Sequence, residues 1–479
     1  MMVIIKKKRN GLILLDYYIN RKNGRESMNI KDVLNGLKKE QLIDIIEDVA
    51  KKDKMFNDSL IIKYSQGDSK TELKNCKKLI NSIVRKYCGR DRFISYRQAY
   101  YFVNDMMMVL EKANNTNDVI LAIDIALLIL DEAMKSFQYA DDSDGDIGML
   151  VSETFGTIRS IIENNKDIDI KVQEKIFKKL LKKSEDTIFD GWSDFKTEML
   201  RLCAEFAYIE KFREELIEKI KSQIQDDNDA NYSMKYKNEK MLLILYEIID
   251  EYGSEEESEA FARSNIKYSS FREILINKFA YAKNYDKVIE LTFEGEKQDK
   301  EYPGLIHKWK KIRYDAYKNL LMKKEQMELG KELLIQGDFE YYEDLKGVSD
   351  NKKEFYDTLR EELKKSKDWR SRDVLIKVIY VENDLNELME YVRNNKTSIE
   401  EHAEKLKDEF YDEVIEIYED YIKFEAERSS NRSHYKGVCA IIKRYKKIAG
   451  KDKAEEIINE LKIKYRKKPA FIDELSRIK

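Results

Sequence analysis

Residues 283–291 read KNYDKVIEL, residues 336–345 read QGDFEYYEDL and residues 382–389 read ENDLNELM. Each stretch follows an apolar helical segment and places Asn284, Gly337 or Asn383 where that segment must stop. Asn and Gly tolerate the left-handed conformation that ends a helix, and a nearby Asp can cap the next helix. The three stretches therefore predict three units of helix, tight turn and helix.

The turn positions 284, 337 and 383 are separated by 53 and 46 residues. These steps are within reach of a helical-pair repeat with variable insertions. A fourth stretch, residues 411–417 (YDEVIEI), nearly repeats residues 285–291 (YDKVIEL). We therefore predict an all-α fold, an elongated α-solenoid of helix-turn-helix repeats of the TPR or HEAT kind.

Composition supports this fold class over the whole chain. Hydrophobic residues make up 42% and charged residues 38% of the 479, a balance typical of long amphipathic helices with solvated outer faces. Proline, which breaks helices, occurs only at Pro303 and Pro469. The length exceeds that of one compact core, so several lobes or an extended array are expected.

Three segments are predicted along the chain. We interpret residues 1–27 as a tail, because the basic run and apolar patch there lack the small-residue cleavage site of a secretory signal. Met28 is an alternative start. Residues 28–258 form an N-terminal helical region and residues 259–479 the repeat region, with a Ser/Glu-rich join near residues 253–259.

Charge and cysteine content predict a soluble cytoplasmic protein. The 89 basic and 92 acidic residues leave a net charge of -3, too little for a global field that would attract nucleic acid or an anionic membrane. The four cysteines form no C-x-x-C pair, which fits free thiols in a reducing compartment. No apolar run reaches the length of a membrane helix.

Three stretches carry a family resemblance: residues 37–46 (LKKEQLIDII), residues 93–96 (FISY) with 141–148 (DDSDGDIG), and residues 465–475 (YRKKPAFIDEL). Together they resemble the helical region that accompanies SWIM-type zinc fingers in many prokaryotic proteins. The resemblance would extend over about residues 29–479 and concerns helix boundaries. The zinc finger itself is missing, because its C-x-C and C-x-H ligand pairs do not occur. We therefore predict no zinc and no other cofactor.

The acidic stretch at residues 142–153 has one metal-like spacing. Asp142, Asp144, Asp146 and Glu153 occupy positions one, three, five and twelve of an EF-hand calcium loop. Position six, which requires glycine, is Ile147. The alternative is a helix connection whose Asp and Ser side chains cap the helix that follows.

Catalytic patterns are not found in the sequence. His307, His402 and His434 have no partner at ligand or triad spacing, and His434 with Cys439 is the nearest approach to a pair. The usual glycine-rich phosphate loops are also missing. We predict a protein that is not an enzyme.

Basic residues with interleaved tyrosines gather at residues 436–468. Such a surface could contact phosphates and stack bases. The preceding residues 404–427 are strongly acidic, so the alternative is that the two segments neutralise each other. The candidate nucleic-acid residues are Lys443, Arg444, Lys446, Lys447 and Arg466.

The leading functional hypothesis is a non-catalytic scaffold that holds an unidentified protein partner on the inner helices of residues 275–392. Rigid aromatic side chains supply much of the binding energy at protein interfaces. Tyr341, Tyr342 and Tyr391 are the candidate anchors, with packing between repeats as their alternative role. An accessory nucleic-acid-binding protein that uses the basic C-terminal helices is the second hypothesis.

Overall fold

A computed structural model describes residues 30–64, 67–90, 92–226 and 232–478. Within these ranges the protein is an all-α helical-repeat protein. No β-strand occurs there, and the one β-like contact is an isolated bridge between Ile94 and Ala140. The predicted tail at residues 1–27 lies outside the described residues. No helix in the described ranges is long and apolar enough to cross a membrane.

Twenty-five α-helices are present in the described ranges. They are α1 (Ile30–Asn35), α2 (Lys39–Lys52), α3 (Lys54–Tyr64), α4 (Ser69–Cys88), α5 (Tyr96–Asn114), α6 (Val119–Ser136), α7 (Asp146–Glu163), α8 (Ile170–Lys183), α9 (Ser193–Ala204), α10 (Glu210–Gln223), α11 (Tyr232–Tyr252), α12 (Glu255–Ser264), α13 (Ser269–Tyr281), α14 (Tyr285–Gln298), α15 (Pro303–Asn319), α16 (Lys323–Ile335), α17 (Tyr342–Val348), α18 (Lys352–Lys365), α19 (Trp369–Glu382), α20 (Leu385–Asn394), α21 (Ile399–Leu406), α22 (Tyr411–Arg428), α23 (Arg432–Ala449), α24 (Lys451–Lys464) and α25 (Pro469–Ser476).

The chain divides into two compact units, one ending at Phe261 and the other running from Ala262 to Lys479. This division lies inside α12, where the sequence suggested a Ser/Glu-rich join. That join is therefore largely helical. In the first unit most helices from α2 to α10 pack on the next helix, on the one after it, or on both. The apolar α6 lies at the centre of this packing and buries eleven residues, including Ile125, Leu130 and Ala133.

The second unit repeats the same packing rule from α13 to α25. One continuous apolar core runs through it from Tyr314 to Leu475, and every helix from α15 onward contributes to it. A core built from contacts between sequence neighbours is typical of stacked helical repeats. The predicted helix pairs α13–α14 and α19–α20 are confirmed, and the third pair is α16 with α17, joined by a 3-10 turn at Phe339–Tyr341.

Four turns in the second unit share a positive φ angle and one hydrogen-bond pattern. Lys283, Leu321, Gly337 and Asn383 have positive φ angles of 57°, 56°, 122° and 52°. The amide of the residue after each one donates to the carbonyl five positions earlier, at 2.8 to 3.1 Å. This is the Schellman arrangement that closes a helix and reverses the chain.

The turn at 283–284 differs from the prediction by one residue. Lys283 takes the left-handed conformation assigned to Asn284, and the Asn284 side chain instead caps α14 by accepting from the amide of Lys287 at 3.3 Å. The turn at Leu321 was not predicted, because neither Asn nor Gly marks it. Residues 411–417 do begin a helix, α22.

Candidate partner-binding surface

Two of the three candidate tyrosines lie inside the array. Tyr342 is fully buried, and its hydroxyl donates to Glu382 on α19 at 2.7 Å. Tyr341 is also buried, and its ring packs edge-on against that of Tyr314 on α15, with the two ring centroids 4.4 Å apart. Both side chains therefore pack between repeats, which is the alternative to a partner-binding role.

Tyr391 is half-buried against the same core. Its ring lies edge-on to the imidazole of His402, with the centroids 5.8 Å apart. The imidazole also accepts or donates a hydrogen bond at 2.9 Å with the hydroxyl of Tyr380. The three rings join α19, α20 and α21, so Tyr391 has a packing role and offers only part of its ring to solvent.

The exposed rings in residues 275–392 are at other positions. Tyr281 is 94% exposed at the end of α13, and Trp369 is 74% exposed at the first residue of α19. Phe293 and Tyr302 are exposed to a smaller degree. Trp, Tyr and Arg are the residues most enriched among energetic hot spots of protein interfaces. Trp369 with Arg370 beside it fits that composition.

The first turn of α19 holds Trp369 in a defined position. Asp368 caps the helix by accepting from the amide of Arg370 at 2.9 Å. The buried Ser371 hydroxyl donates to the carbonyl of Ile335 on α16 at 2.6 Å. A Cβ at Gly337 would lie 3.2 Å from the Cβ of Arg370, so α19 approaches the preceding turn closely. These contacts hold the backbone at Trp369 in place, while its ring remains exposed to solvent.

Arg370 is fixed next to Trp369 by its ion pair with Asp368. The guanidinium Nη2 donates to the carboxylate at 2.6 Å, and its Nε donates to the same group at 3.1 Å. Hydrogen bonds from the Arg370 side chain and amide lower the pKa of Asp368 below its usual value. The pair is therefore charged at neutral pH, and the surface around Trp369 combines one large ring with a fixed polar group.

The basic candidates, four on α23 and Arg466 after the end of α24, have different surroundings. Arg444 is paired, since its Nε and Nη2 donate to Glu400 on α21 at 2.7 and 3.1 Å. Lys443, Lys447 and Arg466 are exposed, and Lys446 is half-buried. Helix α23 contains no acidic residue between Arg432 and Ala449. Part of the predicted positive surface is therefore open to solvent.

Acidic side chains of residues 404–427 contact several different elements. Glu413 makes a bidentate pair with Arg393 of α20, at 2.6 and 2.8 Å. Glu419 accepts from the Tyr445 hydroxyl at 2.7 Å. Lys423 of the acidic segment pairs with Glu460 of the basic one at 2.9 Å. The two segments are thus connected, but through individual mixed contacts that leave Lys443 and Lys447 exposed.

An open groove of about 680 Å³ runs between α22 and α23. Its walls carry both signs of charge, with Glu400 and Glu425 beside Arg428 and Arg444. The sequence did not predict this groove, because its walls form only when the consecutive helices α21, α22 and α23 pack side by side. A surface of mixed sign favours a polar ligand with both charges over a polyanion.

The acidic loop before α7 uses its first aspartates as local hydrogen-bond acceptors. Asp142 accepts from the amide of Ile147 at 2.6 Å and from that of Gly148 at 3.3 Å. Asp141 accepts from the amide of Ser143 at 3.0 Å. These contacts satisfy amides at the start of α7, as the capping alternative requires. Among the described residues, no group of three or more His, Cys, Asp or Glu could hold a metal ion.

All four cysteines are free thiols, and three of them are buried. Burial raises the pKa of Cys76 and of Cys439 to about 11, so both remain protonated at neutral pH. His434 is exposed, and its ring lies 3.4 Å from the Asn431 amide. The near-pair of His434 and Cys439 therefore combines an exposed imidazole with a buried, unreactive thiol.

Comparisons with known proteins add little to this description. No family model matches the chain, and no curated protein matches it. One solved structure with similarity is a "Circular tandem repeat protein with novel repeat topology and enhanced subunit contact surfaces". It is 15% identical, and the match covers 86% of this chain and 95% of that one with a TM-score of 0.20. With a score this low, the helical-repeat description rests on the helices of this chain alone.

Proposed function

We propose that this protein is a non-catalytic helical-repeat scaffold that binds a protein partner through the surface around Trp369. The observation that carries the proposal is the 74% exposure of a tryptophan whose helix is fixed by Asp368 and Ser371. Binding through a helix whose backbone is already fixed costs little backbone conformational entropy. The free thiols are consistent with a cytoplasmic location, which is part of the proposal.

The other large rings of the repeat region support this choice by contrast. The rings of Tyr341 and Tyr342 are buried by packing between helices, whereas the Trp369 ring is exposed to solvent. An accessory scaffold role is also consistent with the resemblance to helical regions that accompany SWIM-type zinc fingers. The family resemblance and the protein partner are both part of this proposal.

The test is affinity capture from the source cell with the full chain carrying Trp369→Ala. Loss of a hot-spot ring should reduce recovery of the specific partner by about tenfold or more. The melting temperature should stay unchanged, because the ring has little packing to lose.

Tyr281→Ala is the matched control, since this ring is even more exposed and lies on α13. Partner recovery by the control should equal that of the native chain. Equal recovery by Trp369→Ala, or no specific protein bound by the native chain, would contradict the proposal.

A second candidate function, nucleic-acid binding, is favoured by one observation. The exposed Lys443 and Lys447 lie four residues apart on α23, a helix without acids. Residues at this spacing share one helix face, so both ammonium groups can reach the same backbone phosphates. Mixed charges in the neighbouring groove weaken this reading.

Fluorescence anisotropy with a labelled single strand tests the second candidate. Binding that weakens steeply with salt and is reduced by Lys443→Glu/Lys447→Glu would support it. The matched control is Lys171→Glu/Lys175→Glu, two exposed lysines at the same spacing on α8. An equal effect of both double variants would show that only net charge matters.

A further inference from the structure

The surface around Trp369 carries an excess of positive charge. Residues 361–377 include six basic and four acidic side chains. Three of the basic side chains are exposed and form no ion pair with any described residue: Lys365, Lys367 and Arg372. Lys365 ends α18, Lys367 lies in the loop that follows, and Arg372 lies near the start of α19.

Each of the four acidic side chains in this range already has a basic partner. The pairs, with their N···O distances, are Glu361–Arg360 at 3.4 Å, Glu362–Lys331 at 3.9 Å, Asp368–Arg370 at 2.6 Å and Asp373–Lys377 at 2.6 Å. No carboxylate in residues 361–377 is therefore left to balance Lys365, Lys367 and Arg372.

The turn that α19 approaches adds one further acid, Asp338. Its carboxylate contacts α15, with Oδ2 2.8 Å from Nε2 of His307 and Oδ1 3.8 Å from Nζ of Lys311. Asp338 therefore has its own partners and does not pair with the three cations beside Trp369.

All three cations lie close to the Trp369 ring. Arg372 is three residues further along α19, a spacing that puts both side chains on one side of the helix. Lys367 and Lys365 precede Trp369 by two and four residues, so their Cα atoms lie within about 7.6 and 15 Å of its Cα. An extended chain covers about 3.3 Å per residue. One short peptide segment can therefore contact the ring and all three cations.

This arrangement suits a partner segment that has carboxylates beside an apolar side chain. A large ring supplies contact area and binding energy, and opposite charges around it guide the encounter and select the partner. Because the three cations have no partner among the described residues, a carboxylate can pair with them without breaking an existing ion pair.

A nucleic-acid strand suits this surface less well. Proteins that bind single strands stack successive bases on several aromatic side chains. Residues 361–380 contain two rings, of which Trp369 is exposed and Tyr380 is half-buried. One exposed ring with cations on neighbouring residues fits a short peptide better.

We infer that the partner of this surface contributes a short acidic segment, in which Asp or Glu residues flank one apolar side chain. The carboxylates pair with Lys365, Lys367 and Arg372, and the apolar side chain covers the Trp369 ring. This inference rests on the proposed function and names the chemistry of its partner.

The test measures binding of a labelled synthetic peptide to the full chain by fluorescence anisotropy at low salt. The peptide has glutamates on both sides of a single leucine, and its matched form has glutamine in place of each glutamate. The native chain should bind the glutamate peptide about tenfold more tightly than the glutamine peptide. Added salt should remove this preference, because it screens exposed charges.

Neutralising the three cations should remove the same preference. The variant is Lys365→Gln/Lys367→Gln/Arg372→Gln. Its matched control changes three exposed lysines of α23 and has the same net charge: Lys436→Gln/Lys443→Gln/Lys447→Gln. The control should keep the preference for glutamate. Circular dichroism should show native helix content in both variants, because all of these side chains are exposed.

A double-mutant cycle tests the contact between the peptide leucine and Trp369. Trp369→Ala in the protein and alanine in place of the peptide leucine should each weaken binding about tenfold. The two changes together should weaken binding no further than either alone, because both remove the same contact. Effects that multiply would overturn the inference.

Other outcomes also overturn it. Equal binding of the glutamate and glutamine peptides by the native chain would do so, and so would an equal loss of preference in the α23 control. A labelled oligothymidylate could bind more tightly than the glutamate peptide and be released by the changes at residues 365, 367 and 372. That result would identify a nucleic acid as the ligand.

Affinity capture from the source cell separates this inference from the proposed function. Loss of the specific partner in both Trp369→Ala and the variant at residues 365, 367 and 372 is the expected result. If only Trp369→Ala loses the partner, the acidic segment is wrong and the proposed function stands. Full recovery by Trp369→Ala would contradict both.

Discussion

Arg272 is a charged side chain with no exposed surface, in the second unit. Its Nη1 donates to the carbonyl of Ile266 at 2.8 Å and to Gln298 at 2.6 Å. Its Nη2 pairs with Asp299, which also accepts from the Trp309 indole at 2.8 Å. These contacts tie the loop before α13 to the end of α14 and to α15. A buried ion pair of this kind holds the three elements in one arrangement.

Removing one partner of this pair should be strongly destabilising. Arg272→Met leaves the Asp299 carboxylate buried without its counter-charge, so the free energy of unfolding should fall by about 3 kcal/mol or more. Urea denaturation followed by circular dichroism measures the change. Lys308→Met, which breaks an exposed pair with Glu273, is the control and should cost under about 1 kcal/mol. Similar losses for both variants would contradict the structural role of Arg272.

His402 should make the stability of the protein depend on pH. Burial lowers the pKa of this imidazole below its usual 6.5, and Glu401 opposes the shift only in part. The folded state therefore binds a proton less readily than the unfolded state. The contribution of His402 to the free energy of unfolding is fully present above about pH 6.5. This contribution is lost as the pH falls through the pKa of His402 in the folded protein.

The measurement is urea denaturation at pH 7.5 and at pH 5.5. His402→Gln should show a smaller loss of stability between the two pH values than the native protein does. His434→Gln, which replaces an exposed histidine, is the control for the substitution itself. An unchanged pH dependence in His402→Gln would show that other groups are responsible.

At the scale of elements, the turn at Leu321 has a left-handed backbone conformation that a leucine disfavours. Leu321 adopts a φ of 56°, which costs a residue with a Cβ about 1 to 2 kcal/mol relative to glycine. Its side chain is 80% exposed and contributes little packing in return. The Schellman bond from Met322 to Tyr317 at 3.0 Å holds the turn in place.

Leu321→Gly should therefore raise the free energy of unfolding by about 1 kcal/mol. Denaturant unfolding of the two proteins side by side measures the difference. The matched control is Leu320→Gly, because Leu320 has a φ of -83° and gains nothing from glycine. That variant should destabilise the protein. A loss of stability in Leu321→Gly would mean that the exposed leucine makes contacts that outweigh the strain.

At the scale of the whole molecule, the second unit contains its own core. The apolar cluster from Tyr314 to Leu475 draws all its members from this unit. A fragment of residues 255–479, which keeps α12 intact, should therefore fold by itself. We expect a helical circular dichroism spectrum and a cooperative urea transition. A fragment without a cooperative transition would show that the unit depends on the rest of the chain.

Much of the fold follows from local sequence. Apolar residues spaced three and four apart, few prolines and the signals at Asn284 and Asn383 sufficed to predict the helices and their pairing. These features act within one or two helical turns, so they can be recognised without knowing the neighbours. The turn at Leu321 escaped prediction, because a long-range arrangement imposed a conformation that its own side chain disfavours.

Burial of individual side chains was decided only by the tertiary structure. Tyr342 and Trp369 are both large rings at the first residue of a helix, yet one is fully buried and the other is 74% exposed. Helices α2 and α8 have similar apolar patterns, but packing covers only α8. The helical period shows which face is apolar, but not whether another helix covers that face. The surface around Trp369 and the open face of α2 depend on which distant segments pack together, which a local pattern does not encode.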